Sequence, residues 1–218
     1  MFTGLLAYID MRGFFCASNR ITAGEERVSA QEVTMREFFE KSVLMDEAAV
    51  QRALMRISHE IVEKNKGLDN LVLIGIQRRG VPMAARIADN LEKIEGMRPP
   101  VGVLDITFYR DDLSKLSSHP VVNGTDIPFN INDMTVVLID DVLFTGRTVR
   151  AGIEAIFDMG RPAAIELAIM IDRGHRQLPF RPDFVGKNIP TSNTESIHVE
   201  LTEIDGQDRV VLCDEVKS

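Results

Sequence analysis

Two spacings of apolar residues alternate along the chain, and their order predicts the fold class. Val50, Leu54, Ile57 and Ile61 recur at helical intervals and form one buried stripe. Asp46 precedes this helix as an N-cap candidate, and Gly67 lies just past its end. A second stripe on the same helix carries Arg52, Met55, Arg56, His59 and Glu63. Leu71 to Ile76 is a continuous apolar run, the mark of a strand buried on both faces. Val81 to Ile94 reads as a helix with Pro82 in its first turn and Gly96 beyond its end.

Val101 to Tyr109 is predicted as a second strand, followed by a polar stretch from Arg110 to Ile127. Thr135 to Ile139 forms a third, leading to a helix that starts near Arg147 and stops at Gly160-Arg161-Pro162. Ala164 to Ile171, Ile197 to Ile204 and Val210 to Cys213 complete the set of strands. Strands alternating with helices predict an α/β architecture, a mostly parallel sheet flanked by helices. The first 34 residues show neither period and read as a flexible N-terminal extension or a mis-called start, since Met35 or Met45 could also initiate.

Composition narrows the class. With 218 residues, 44% hydrophobic and 27% charged, the chain suits one full-sized globular domain. Cys16 and Cys213 alone build neither a disulfide framework nor a metal cluster, which points to a reducing cytoplasm. No apolar run has the length of a membrane helix. Met1 to Phe15 lacks a basic start and is interrupted by Asp10 and Arg12, against a secretory signal. The net charge of -8, taken as an average, argues against a nucleic-acid partner.

The chemistry concentrates in Val136-Val137-Leu138-Ile139-Asp140-Asp141-Val142-Leu143-Phe144-Thr145-Gly146-Arg147-Thr148. A hydrophobic strand delivers two carboxylates to its carboxyl end, where open α/β sheets bind ligands. Thr145, Gly146 and Thr148 then open a helix whose free N–H groups, with two hydroxyls, make a phosphate cradle. Carboxylates for sugar hydroxyls beside a monophosphate cradle suggest a ribose 5-phosphate site. Neither a Walker loop nor a G-x-G-x-x-G dinucleotide fingerprint is present.

This run resembles the phosphoribosyl pyrophosphate (PRPP) motif of type I phosphoribosyltransferases. Five further segments resemble the PyrR family of bifunctional pyrimidine operon regulators and uracil phosphoribosyltransferases: Arg52 to Glu60, Gly75 to Gly80, Asp105 to Leu113, Asp172 to Arg176 and Gly186 to Ser192. The likeness covers about Lys41 to the C-terminus. It implies a type I phosphoribosyltransferase fold with a small hood region, in a domain of residues 35–218 preceded by the extension 1–34.

By that resemblance, Asp140 and Asp141 hold the ribose hydroxyls, flanked by Val142, Leu143 and Phe144. Thr145, Gly146, Arg147 and Thr148 hold the 5-phosphate. Gln77, Arg78, Arg79 and Gly80 form the diphosphate loop, with Arg79 the leading cation and Arg78 the second. Tyr109, Arg110, Asp111 and Asp112 open a mobile catalytic loop that places Arg110 on the diphosphate. The implied catalytic set is therefore Arg79, Arg110, Asp140 and Asp141, with Mg²⁺ held by PRPP oxygens and water rather than by a protein cage. Phe144 stands where 6-oxopurine relatives carry an aspartate, which favours a pyrimidine. Backbone groups around Ile171, Asp172, Arg173 and Gly174 would read uracil.

His175, Arg176, Arg181 and Lys187, with Arg56 and His59 of the helix stripe, are implied to bind messenger RNA. Four Arg or Lys stand against two Asp between Asp172 and Asn188, unlike the chain average. Met55 departs from the threonine expected there. The implied protein converts uracil and PRPP to UMP and diphosphate, and binds pyrimidine-operon leader RNA when UMP or UTP occupies the site. It would act as a homodimer or higher homo-oligomer. The alternatives are a salvage enzyme without RNA function and a catalytically silent regulator.

Overall fold

The apolar runs and helical stripes assemble one parallel sheet. A computed structural model describes residues 38–109 and 124–215. Helix α1, Glu47–Asn65, starts where the Asp46 carboxylate accepts the Ala49 N–H at 2.7 Å. Val50, Leu54, Ile57 and Ile61 are all buried, as their spacing predicts. Lys66 rather than Gly67 takes the left-handed turn that first ends the helix, with φ 57°.

Strand β2, Leu71–Ile76, is buried at every residue and leads into α2, Gly80–Glu95. There follow β3, Val101–Leu104, then β4, Thr135–Leu143, α3, Arg147–Met159, and β5, Ala164–Asp172. A further strand, β6, Phe184–Asn188, is too short to show a period and has no counterpart in the sequence reading. The sheet order is β3-β2-β4-β5-β6, and every pairing in it is parallel. Alternate residues serve opposite faces. Leu73, Val137 and Ile139 pack with α1 and α2, while Ile74, Val136 and Leu138 pack with α3.

A second, antiparallel sheet forms the hood. Its order is β1-β8-β7, built from β1, Phe38–Met45, β7, Glu195–Glu200, and β8, Arg209–Glu215. Sequence periodicity misses β1, whose pairing with β8 is broken by two register shifts. Two predicted strands are too long. β3 stops at Leu104 because the Asp105 carboxylate accepts from the Thr107 N–H at 2.9 Å and its hydroxyl at 2.5 Å, folding Thr107–Tyr109 into a 3-10 turn. Beyond Glu200 the chain forms a short helix, α4, Thr202–Asp205, because Asp208 accepts from the Thr202 N–H and hydroxyl and Asp205 from the Leu201 N–H.

Two glycines let the end of β2 and the start of α2 touch β4. A Cβ on Gly80 would lie 2.3 Å from the Ile139 carbonyl oxygen, and one on Gly75 would lie 2.5 Å from the Gly80 oxygen. The neighbours are backbone, so nothing flexible can yield. Gly80→Ala is expected to cost about 2 kcal/mol or more in denaturant unfolding, the usual scale of overpacking.

The hood is also pinned by charge. The Arg86 guanidinium of α2 forks onto Glu203 at 2.6 and 2.8 Å and onto Asp208 at 2.6 and 2.8 Å. These hydrogen bonds hold the Asp208 carboxyl at about 2, below the usual aspartate range of roughly 3.9. A depressed folded-state pKa stabilises fully above about pH 4, and the contribution disappears as pH falls toward 2. Asp208→Asn should therefore lower the melting temperature at neutral pH and flatten the loss of stability between those limits, as followed by thermal melts across pH.

Candidate active site

The carboxyl ends of β2 and β4 open onto a cleft of about 360 Å³, lined by Gln77, Arg78, Asp105, Ile106, Thr107, Asp140, Asp141, Val142 and Thr148. β4 runs four residues past the predicted Ile139, so both carboxylates still belong to the strand. Asp140 pairs in register with Ile169 and is only 7% exposed. Its Oδ1 accepts the Asp141 N–H at 3.0 Å, and Asp141 Oδ1 accepts the Val142 N–H at 2.9 Å. Each carboxylate is thus oriented by the backbone immediately after it.

Gly146 opens α3 with φ 91°, a left-handed conformation suited to glycine, and no side-chain bond caps the helix. The Thr145 hydroxyl accepts the Arg147 N–H at 3.4 Å. A helix start of this kind collects N–H dipoles toward an anion. The loop is braced from behind: Gln177 and Leu178 both donate their N–H groups to the Thr145 carbonyl at 3.0 Å, and Arg147 Nε donates to Gln177 Oε1 at 3.1 Å.

The loop after β2 divides its side chains. Gln77 and Arg78 are exposed and line the cleft, and the peptide bond between them is cis. Gln77 Nε2 also donates to the Gly124 carbonyl at 3.0 Å. Arg79 turns toward the hood, donating to Asp205 at 2.8 and 3.3 Å. Arg110, Asp111 and Asp112 lie outside the described residues, as do His119, Cys16 and the N-terminal extension. Tyr109, just before them, donates its hydroxyl to Asp158 of α3 at 2.8 Å.

At the end of β5, Ile171 is buried and Gly174 takes φ 78°. The Arg173 N–H is bonded to the Leu143 carbonyl at 3.1 Å. Its guanidinium is buried 4.0 Å over the Phe144 ring and donates to Thr191 Oγ1, the Ser192 carbonyl and the Glu195 carbonyl. Burial pushes its pKa down. The side chain of Arg173 thus faces inward.

The remaining basic residues gather near β6. Arg56 of α1 donates to the Val185 and Gly186 carbonyls and stands 3.4 Å from Glu60. Lys187 donates to the Leu44 carbonyl at 3.1 Å and lies opposite Ile171 in the sheet register. His59, His175 and Arg181 are exposed, and His175 Nε2 lies 2.6 Å from the Thr191 carbonyl. Arg176 is engaged within the protein by Asp172 and four carbonyls. Sequence reasoning passed over Asp105, Thr107 and Asp205. The Asp105-Ile106-Thr107 spacing is itself a turn signal, whereas nothing local marks Asp205 as the partner of Arg79.

Among the described residues, no group of three or more His, Cys, Asp or Glu could hold a metal ion, and no helix is long and apolar enough to cross a membrane. A family model of the phosphoribosyl transferase domain matches residues 42–205. The chain is 61% identical over 175 residues to the bifunctional protein PyrR of Acetivibrio thermocellus, covering 80% of this chain and 95% of that protein. It is 64% identical to the Caldicellulosiruptor bescii protein of the same name, with 78% and 93% covered, and 54% identical to that of Bacillus subtilis, with 79% and 97% covered. The hypoxanthine phosphoribosyltransferase of Trypanosoma cruzi shares the fold, with a TM-score of 0.62 at 21% identity over 80% of this chain and 96% of that one. The cleft, the sheet order and these likenesses agree: the chain is a type I phosphoribosyltransferase and belongs to the family of bifunctional PyrR proteins.

Proposed function

We propose that the cleft transfers the 5-phosphoribosyl group of PRPP to uracil, and that the UMP or UTP it holds promotes binding of pyrimidine-operon leader RNA. The observation that carries the catalytic half is the convergence of Asp140 and Asp141, the open start of α3, and Gln77 with Arg78 on one cleft. In the reaction, uracil N1 forms a bond to ribose C1 as the bond from C1 to the diphosphate oxygen breaks. Diphosphate leaves with the bonding pair, and the N1 proton is released.

Each element has a defined part. Thr145 to Thr148 hold the 5-phosphate through N–H groups and hydroxyls. Asp140 and Asp141 accept the ribose hydroxyls and stabilise positive charge developing on the sugar, where a buried carboxylate acts strongly. Arg78 neutralises the leaving diphosphate from within the cleft, while Arg79 holds its loop against Asp205. By the family likeness, Arg110 adds a second cation for the diphosphate. Backbone groups of Ile171 to Gly174 read the base, and Phe144 supplies no carboxylate for a purine. Mg²⁺ would be held mainly by PRPP oxygens and water, with Asp140 and Asp141 lining the same cleft, and would neutralise charge on the diphosphate.

The regulatory half rests on the grouping of Arg56 on α1, Lys187 on β6 and His175 after β5, with His59 and Arg181 exposed. Cations there meet phosphates, and His175 can stack on an unpaired base. Buried Cys213, its thiol pushed up to about 11 mainly by desolvation, is inert at neutral pH and compatible with a cytoplasmic protein. We place the start of the catalytic domain near residue 35 and expect a homo-oligomer.

Asp140→Asn and Asp141→Asn should each lower UMP formation from uracil, PRPP and Mg²⁺ by about 100-fold, the usual loss when a preorganised electrostatic group is removed. Wild-type protein that forms no UMP overturns the catalytic half. In filter binding, leader RNA should be retained more tightly with UMP than without it. RNA binding that ignores UMP overturns the regulatory half, and absent RNA binding leaves a salvage enzyme.

A further inference from the structure

The loop that holds the nucleotide phosphate and the loop that presents His175 meet at one side chain, Arg176. Its Nη1 donates to the carbonyls of Phe144 at 2.9 Å, Gly174 at 3.2 Å and Leu143 at 3.4 Å. Its Nε donates to the Phe180 carbonyl at 3.0 Å, and its Nη2 to Asp172 Oδ2 at 2.5 Å. All three nitrogens of the guanidinium are therefore engaged, and the side chain is only 22% exposed. Nε and Nη1 have no N–H left over and Nη2 has one N–H committed to Asp172, so a bidentate grip on a phosphate would have to break one of these bonds.

We infer that Arg176 is a positioning residue that couples the nucleotide site to the RNA face, and that it is not a phosphate contact. The inference rests on the regulatory reading above. Leu143 and Phe144 lead directly into the phosphate cradle, and Gly174 precedes His175. The Phe144 ring meets the His175 ring edge-on at 5.8 Å between centroids, with Arg173 against it at 4.0 Å. His175 itself holds a left-handed backbone, φ 58°, which a non-glycine residue keeps only when its surroundings impose it. Nucleotide that fixes the segment from Leu143 to Gly146 therefore fixes the carbonyls on which Arg176 hangs the His175 turn. RNA and nucleotide then favour the same arrangement, and each raises the affinity of the other by one shared factor.

Lysine at this position separates the two roles, because it keeps the charge and loses the fork. Arg176→Lys is expected to cut the UMP-dependent gain in RNA affinity by about tenfold, within the usual range of coupling energies. It should raise the KM for PRPP several-fold with a smaller change in kcat. The slope of log affinity against log salt should stay at the wild-type value, since no phosphate contact is removed. The inference is overturned if Arg176→Lys keeps the UMP-dependent gain while Arg176→Gln reduces the salt slope by about 0.7, the signature of one lost phosphate contact to a single strand.

Asp172→Asn, measured at saturating UMP, gives the opposite sign for the two roles. Loosening the hub should weaken RNA binding, whereas freeing a phosphate-contacting arginine and removing a negative charge should strengthen it. Stronger binding by this variant also overturns the inference. Wild-type protein that binds no leader RNA overturns the regulatory reading and the RNA half of the inference. The KM for PRPP in Arg176→Lys then still decides whether Arg176 holds the nucleotide loop.

Discussion

Everything in the site depends on β4 staying a fully buried strand until it delivers two carboxylates at the sheet edge. Val136 to Ile139 are wholly inaccessible, and the next residue is an aspartate at 7% exposure. Burying a carboxylate without partners is costly, so the chain must supply them at once. The Asp141 N–H donates to Asp140, and the Val142 N–H donates in turn to Asp141. The same constraint explains Gly75 and Gly80. The turn after β2 must come within backbone contact of Ile139 if its exposed residues are to share a cleft with Asp140.

The hood is bound to this frame by two kinds of force. Ile197, Val199, Leu201 and Val210 belong to the same apolar cluster as α1 and α2, so hydrophobic burial carries most of the attachment. Two arginines of the β2–α2 unit then set the orientation. Arg86 grips Glu203 and Asp208, and Arg79 grips Asp205. Their carboxylate partners all lie on α4 or within three residues of it. Exposed pairs such as Lys41 with Asp214 add little by comparison, because water screens them. The loop after β2 therefore takes its position from the hood as well as from the sheet.

Much of the fold was legible in the sequence, because long elements repeat their pattern. The four-residue stripe of α1, the unbroken apolar run of β2 and the carboxylates at the carboxyl end of the β4 apolar run all stand where spacing places them. What apolar period alone cannot show is a nearby polar side chain that captures the backbone. Thr107–Tyr109 looks like strand by composition, yet the Asp105 carboxylate folds it back. Ile204 looks like the end of a strand, yet Asp205 and Asp208 turn its neighbours into a helix. For the site, residue types were readable and directions were not. Arg79 reads as a diphosphate cation and faces the hood; Arg176 reads as an RNA contact and is bonded to internal acceptors.

Direction also decides what net charge means for a partner. The average of -8 argues against RNA, while the count of basic residues after Asp172 argues for it, and neither measures the charge that faces outward. Arg173 and Arg176 are consumed by internal acceptors, which leaves His175, Arg181 and Lys187 exposed on that stretch. A surface with so few outward cations would supply limited counterion release to an RNA and would have to lean on stacking and shape, the mode suited to single-stranded loops. Such a surface would work only if its few contacts were held in place, and Arg176 ties the turn at His175 to Leu143 and Phe144 at the end of β4.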